Sequence, residues 1–186
     1  MAFTISDFRS KALNKAGARA NLFDVKMKAP DVAKELNADG GKEFSFSCKA
    51  AAIPAMAVGT IDVPYFGRVI KVPGNKTFDN WTVTIINDEE FPLRNGFEKW
   101  VAGMGTHEGN LATIGADFAT NTLYGEATVQ HYSKAGGALA QAEYKFVNIF
   151  PVAVAEITLG WDANDAIEEF TVEFAYDYWT HKGVVT

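Results

Sequence analysis

Three consecutive carboxylates, Asp88-Glu89-Glu90, are the densest set of chemically able side chains in this sequence. Paired carboxylates can divide general-acid and general-base work between them. That work needs a further group brought to the same point, and no histidine or second carboxylate set follows at a spacing that supplies one. Their place just ahead of Pro92, a residue suited to the first turn of a helix, gives them a simpler electrostatic role against the helix dipole. His107, His131 and His181 lie far apart, and none has an Asp, Glu or Cys partner at metal-ligand spacing. Gly103-Met104-Gly105-Thr106 follows a helical pattern instead of opening one, and Gly136-Gly137 lacks the Lys-Ser/Thr of a phosphate loop. Glu168, Glu169, Glu173 and Asp177 read as a solvated strand face. The expectation is therefore no catalytic residue, no metal site and no cofactor.

Bulk properties narrow the field further. The only cysteine, Cys48, has no partner for an intramolecular disulfide, and its alternation with Phe44 and Phe46 points it into a core. A chain of 186 residues is read as one domain, 1–186, because about 100–200 residues is the usual span of one core. With 48% hydrophobic and 22% charged residues the composition is that of an ordinary globule. Seventeen basic against twenty-three acidic residues leave a formal charge of −6, which repels a phosphate backbone and argues against tight DNA binding. No basic segment leads into an apolar stretch at the N-terminus, and no run approaches the ~18 apolar residues of a membrane span. Synthesis in a cytoplasm and no membrane insertion are the expectations.

The elements that must carry these residues are mostly strands. Thr4 and Asp7 form a capping box ahead of Phe8, Ala12 and Ala16, which predicts a short, weak N-terminal helix acting as a modest lid. Apolar alternation predicts strands over 22–28 and 43–49, the latter with Phe44, Phe46 and Cys48 on one face and Glu43, Ser45, Ser47 and Lys49 on the other. Between them, residues 31–42 read as a mobile loop. Residues 50–63 are rich in Ala and Val yet broken by Pro54 and Gly59, an apolar arm with no stable period. Strands are expected at 65–72 and 78–87, joined by a turn at Pro73-Gly74-Asn75-Lys76. A helix follows, with Phe91 or Leu93, then Phe97, Trp100 and Met104 on one face, Arg94 paired to Glu98 on the other, and Gly103 and Gly105 at its end. After a long small-residue loop at 106–124, strands are expected at 126–132, 141–150, 152–161 and 166–179, with a break at Pro151. Seven or eight strands with one good helix make a mainly β chain, a β-sandwich or barrel.

Several blocks along the chain carry a family resemblance: Arg19-Ala20-Asn21-Leu22-Phe23-Asp24-Val25, Cys48 with Ala51 and Pro54, and Tyr65-Phe66-Gly67-Arg68-Val69-Ile70-Lys71-Val72-Pro73-Gly74. Trp81, Asp88, Phe91, Arg94, Phe97 and Trp100 follow, then Tyr144-Lys145-Phe146 with Phe150-Pro151, Ile157-Thr158-Leu159-Gly160-Trp161, and Ile167 to Phe170 through Tyr176 to Trp179. Together they resemble the tail tube proteins of contractile-tailed bacteriophages. The resemblance implies a structural, non-enzymatic subunit of the virion tail, with hexameric rings sharing a continuous inner β-barrel and stacking into the channel for genome ejection inside a contractile sheath. It also implies partners: further copies of the chain, the tail sheath protein, a tape-measure protein, a baseplate initiator, and double-stranded DNA that passes without tight binding. A genome-free contractile injection particle is the near alternative, and a small carbohydrate-binding β-sandwich is the alternative of a different class.

Two residue sets acquire expectations on that basis. The apolar arm is expected to reach a neighbouring subunit through Ile53, Pro54, Met56 and Val58, since it has no period with which to bury itself in its own sheet. A strand lining a wet lumen is apolar inward and polar outward, which makes Glu43, Ser45, Ser47, Thr82 and Thr84 the candidates for the channel wall.

Overall fold

The computed structural model describes residues 4–11, 13, 17–109, 111 and 123–183. In chain order the described elements are α1 (Ile5–Lys11), β1 (Phe23–Lys28), a run of 3₁₀ turns (Asp31–Gly41), α2 (Lys42–Ser47), β2 (Cys48–Ala51), β3 (Ala57–Tyr65), β4 (Arg68–Thr77), β5 (Trp81–Ile86), α3 (Pro92–Met104), β6 (Gly125–Tyr132), β7 (Ala138–Val154), β8 (Glu169–Ala175) and β9 (Tyr178–His181).

Period-two alternation buries one face of the strands of the main sheet. Val25 and Met27 of β1, Trp81, Val83 and Ile85 of β5, Ala127 and Val129 of β6, and Phe170, Val172 and Phe174 of β8 all lie in one core cluster. An antiparallel sheet in the order β1-β6-β7-β8-β5-β2, with β9 also on β7, is folded over this cluster. Trp81 stacks on Phe146 across the interior, ring centroids 4.5 Å apart. The edge strands β1 and β2 do not pair with each other, so one copy of the chain is an open sandwich and not a closed barrel. α2 lies in that gap, against β1, β2 and β5.

β7 crosses from one layer to the other. Its first half pairs with β6 and β9, and from Phe150 it pairs with β8. Asn148 takes a positive φ of 56° at the crossing, and a register shift follows between Pro151 and Ala153. Pro151 thus sits at a bulge, where its missing N–H is tolerated, and the expected break is a change of partner within one strand. The expected single strand over 166–179 is likewise divided, β8 staying in one layer and β9 crossing to the other. The expected strand over 152–161 ends at Val154.

α3 matches its expected face: Leu93, Gly96, Phe97, Trp100 and Gly103 are buried, and Arg94 Nε donates to Glu98 Oε1 at 2.7 Å. Phe97 makes edge contacts with Phe44, Phe170 and Phe174, joining the helix to the sheet. Residues 31–42, expected as a loop, instead form 3₁₀ turns that bury Ala33 and Leu36 against α3, and Asn37 bonds both the N–H and the C=O of Ala29 at 2.9 and 2.8 Å. Thr4 and Asp7 make the capping box, with Asp7 N–H donating to Thr4 Oγ1 at 3.2 Å and Thr4 Oγ1 to Asp7 Oδ2 at 2.7 Å, but α1 buries none of its residues and covers nothing as a lid. Ala12, Ala16 and most of the expected 106–124 loop lie outside the described residues.

Candidate assembly surface

A chain that buries its apolar surface has little left to display, and β3 and β4 depart from that rule. All nine residues of β3 are exposed, and of the ten in β4 only Gly74 is half-buried. Ile61, Val63, Val69, Ile70 and Val72 each leave 42–59% of their surface in water. The two strands pair only with each other, as a separate sheet. Two-stranded hairpins are marginally stable alone in water. This one presents two unpaired edges and one apolar face, where Ile61 and Val63 stand opposite Val72 and Ile70, while the other face carries the Asp62–Lys71 ion pair. The edges and the apolar face are the features of a surface that awaits a partner.

The turn of this hairpin is Phe66-Gly67, both with positive φ (43° and 77°), the signature of a type I′ turn. Asn or Asp is the usual first residue there, because a bulky side chain in that region is strained. Here the position holds Phe66, 92% exposed and packed edge-on against Tyr65 at 4.6 Å. The turn expected at 73–76 is not a turn: Val58 pairs with Lys76 and Thr60 with Pro73, so those residues form a bulge within β4. Gly59 and Gly74 face each other at the bulge, where a Cβ on Gly74 would sit 3.1 Å from the Gly59 carbonyl oxygen. The hairpin is thus one strand earlier than expected, and β5 belongs to the body. A Gly in the second place of a two-residue loop between apolar runs is the signal that finds it.

The expected arm leads into this hairpin. Ile53, Met56 and Val58 are 46–49% exposed and Pro54 is half-buried. Two indoles hold the linker to the body: Trp81 Nε1 donates to Ala52 O at 2.7 Å, and Trp179 Nε1 to Ala55 O at 3.4 Å. Trp81 and Trp179 stand on strands of different layers, so both layers grip the base of the hairpin.

The expected lumen residues fall into two groups. Thr82 and Thr84 lie on the outer face of β5, opposite Glu173 and Thr171 of β8, and the same face carries the ion pair of Lys49 with Glu169 and the bond from Asn80 Nδ2 to Glu173 Oε1 at 2.8 Å. Glu43, Ser45 and Ser47 are not on a strand with them. They are half-buried on the helical turn α2, where residues two apart point to opposite sides: Phe44 is fully buried and Phe46 is 85% exposed. A glycine with φ of 80° at Gly41 turns the chain into this helix, and the Ser45 hydroxyl is held by Asp24. Short apolar alternation does not separate a strand from a helical turn, and tertiary packing decides it.

Cys48 does face the core, 8% exposed, and burial followed by the nearby Asp24 charge pushes its thiol up to about 12. Glu35 is held below its ordinary value, first by the hydrogen bond from Lys99. The C-terminal carboxylates are engaged: Glu168 accepts from Asn87 at 3.1 Å and Asp177 from Asn148 at 2.6 Å, alongside the pairs of Glu169 and Glu173. Among the described residues no group of three His, Cys, Asp or Glu side chains is disposed to hold a metal ion, and no helix is long and apolar enough to cross a membrane.

The profile of the family described as phage tail tube protein matches residues 18–182. The tail tube protein gp19 of Enterobacteria phage T4 is 35% identical over 164 residues, which cover 87% of this chain and 90% of that protein. A tail tube protein of Serratia phage KSP90 is 23% identical over 175 residues, 93% of this chain and 94% of its own. Among solved structures, a chain of the sheath-tube complex of the PVC extracellular contractile injection system superposes with a TM-score of 0.62 at 13% identity, covering 98% of this chain and all of that one (100%). A chain of the anti-feeding prophage baseplate gives 0.63 at 9% identity, with 89% and 95% covered, and both likenesses concern the fold.

Proposed function

This chain belongs to the phage tail tube protein family, a structural component of the virion tail, and on that premise we propose that it acts as a single domain in stacked hexameric rings that enclose the genome-ejection channel of a contractile tail. The observation that carries the assembly is the exposed β3–β4 hairpin, an apolar surface that only a neighbouring subunit covers in a tube. The role is mechanical, with no catalytic step.

In this reading the open edges β1 and β2 of each copy face those of its neighbours, so that six open sandwiches complete a shared barrel and lose their free edges. The lumen wall is the outer face of β5 and β8, with Thr82 and Thr84 near its middle, and Glu43, Ser45 and Ser47 lining it beside the β2 edge. That wall is polar and lacks a basic stripe, which suits DNA that must pass without being held by its phosphates. Sheath, tape-measure protein and baseplate initiator are the further partners. The relatives' presence in a sheath-tube complex and in a baseplate supports the first and the last.

Electron microscopy of purified chain seeded with a baseplate initiator tests the reading: hollow tubes of uniform diameter are expected, and a seeded preparation without tubes of this chain overturns it. The wall is tested by Thr84→Cys in those tubes, with native Cys48 shielded by burial. A maleimide small enough for the bore should label the new thiol and a bulky one should not; equal labelling by both puts this face outside.

A further inference from the structure

In a tube the β3–β4 hairpin needs a surface to dock on, and the loop 155–168 is a second exposed segment of this chain. This loop joins β7 to β8 and displays Leu159 (77% exposed), Trp161 (fully exposed) and Ile167 (71%) without any covering element. A half-open groove of about 340 Å³ lies within it, with Ile157, Leu159, Ala163 and Ile167 on its apolar side and Glu156, Thr158, Glu168 and Glu169 giving it a larger polar surface. A benzene ring fits a cavity of about 150 Å³, so by size alone the groove has room for one aromatic side chain beside its apolar wall. We propose that Phe66, at the tip of the β3–β4 hairpin, inserts into the 155–168 groove of a second copy of this chain in the next ring, with Arg68 meeting Asp162 and Asp165. The proposal rests on the tube reading and names the contact that stacks it.

Placement in the fold supports this pairing. The hairpin leaves the body at the Trp81 end of β5, where the indole holds Ala52. The loop lies at the other end of the same strand, where Asn87 N–H donates to Glu168 O at 2.9 Å and Ile86 pairs with Glu169. One copy therefore carries its projecting element and its groove at opposite ends of β5, the arrangement a repeating head-to-tail contact requires. Charge agrees with it. The hairpin has three basic side chains, Arg68, Lys71 and Lys76, against one acid, Asp62, whereas the loop has four carboxylates and no basic residue. Among the described residues Arg68, Asp162 and Asp165 have no ion-pair partner within the copy. The strained turn conformation at Phe66 gains a reason: it aims an aromatic ring outward from the tip, where a conformationally easier Asn would offer the groove nothing.

The test is a photo-crosslink from benzoylphenylalanine placed at position 66, irradiated in assembled tubes and mapped by mass spectrometry. Crosslinks to residues 155–168 of another copy are expected, and crosslinks that map elsewhere overturn the proposal. Charge reversal is the second arm. Arg68→Glu, and separately Asp162→Lys with Asp165→Lys, should each lower tube yield at least tenfold while the circular dichroism of the monomer stays native, and all three changes in one chain should recover it. Failure of the combined variant to recover argues against the pairing. Absence of tubes from the seeded unmodified chain would sink the tube reading itself and the docking with it, whereas tubes with the wrong crosslink sink only the docking.

Discussion

Cys48 is shielded by its place at the start of β2, where the chain turns from α2 into the core. Its thiol is raised from an ordinary value of 9.0 to about 12, so between those limits the unfolded chain has released a proton that the folded chain keeps. Stability then falls as pH rises through this window, by at most ~1.4 kcal/mol per pH unit, and is fully present below it. Cys48→Ala removes this pH dependence. Urea denaturation at pH 8 and pH 10.5 should show the parent losing more stability than the variant over the interval, and parallel losses would mean that the thiol is not shielded as described. Trp81 shows a different economy, since one side chain stacks on Phe146 and, through its indole N–H, holds the carbonyl of Ala52. A single residue thus links core packing to the base of the projecting hairpin.

At the scale of elements, the contact of α3 with the 3₁₀ turns depends on Gly96. A Cβ there would approach Leu36 Cδ2 to 2.7 Å and Cγ to 2.8 Å, so the Leu36 side chain, only 1% exposed, or the helix itself must shift. Gly96→Ala improves helix propensity by up to ~1 kcal/mol, against overpacking that typically costs about 1–3 kcal/mol. A net loss is expected, seen as a lower Tm; an unchanged or raised Tm would show that the helix can move away without penalty. The linker at 52–55 invites a second test. Trp179→Phe keeps an aromatic ring facing Tyr144 and deletes the bond to Ala55 O, a loss of about 0.5–1.5 kcal/mol. Faster proteolytic cleavage within residues 52–56, with the core still resistant, is the expected outcome, and an unaltered cleavage rate would remove this indole from control of the hairpin.

For the whole molecule, the division between a body with its own buried core and an exposed hairpin separates the surface that folding uses from the surface left for assembly. Among the described residues, the twenty apolar residues of the buried core include none between Cys48 and Trp81, so substitutions in the arm leave that core untouched. Ile53→Asp with Val58→Asp should therefore abolish ring stacking while the circular dichroism stays near native. Pelleting of seeded tubes measures this, and a double variant that pellets like the parent would take the arm out of the interface. The overall charge of −6 belongs to this scale as well, because it repels a phosphate backbone from the molecule as a whole.

Sequence by itself determined the mainly β class, the faces of β1, β5 and β8, the buried stripe of α3, the Thr4–Asp7 cap and the inward Cys48. Each of these follows from local period or local hydrogen bonding, which neighbours in the chain already specify. The ordered blocks of residues also pointed to the tail tube family before any contact was known, and the exposure of Ile53, Met56 and Val58 agrees with an arm that cannot bury itself. Only tertiary structure decided the rest. Residues 43–47 became a helical turn because Phe44 found Phe97 while Phe46 was left in water, and two residues of alternation could not distinguish that from a strand. Pro73 and Pro151, which read locally as turn and break, were absorbed at irregularities of register opposite partners distant in sequence. Which strands pair, and so which elements project from which end of the sheet, depends on contacts closed over many residues, and those are set by the packing of the whole chain and not by any stretch of it.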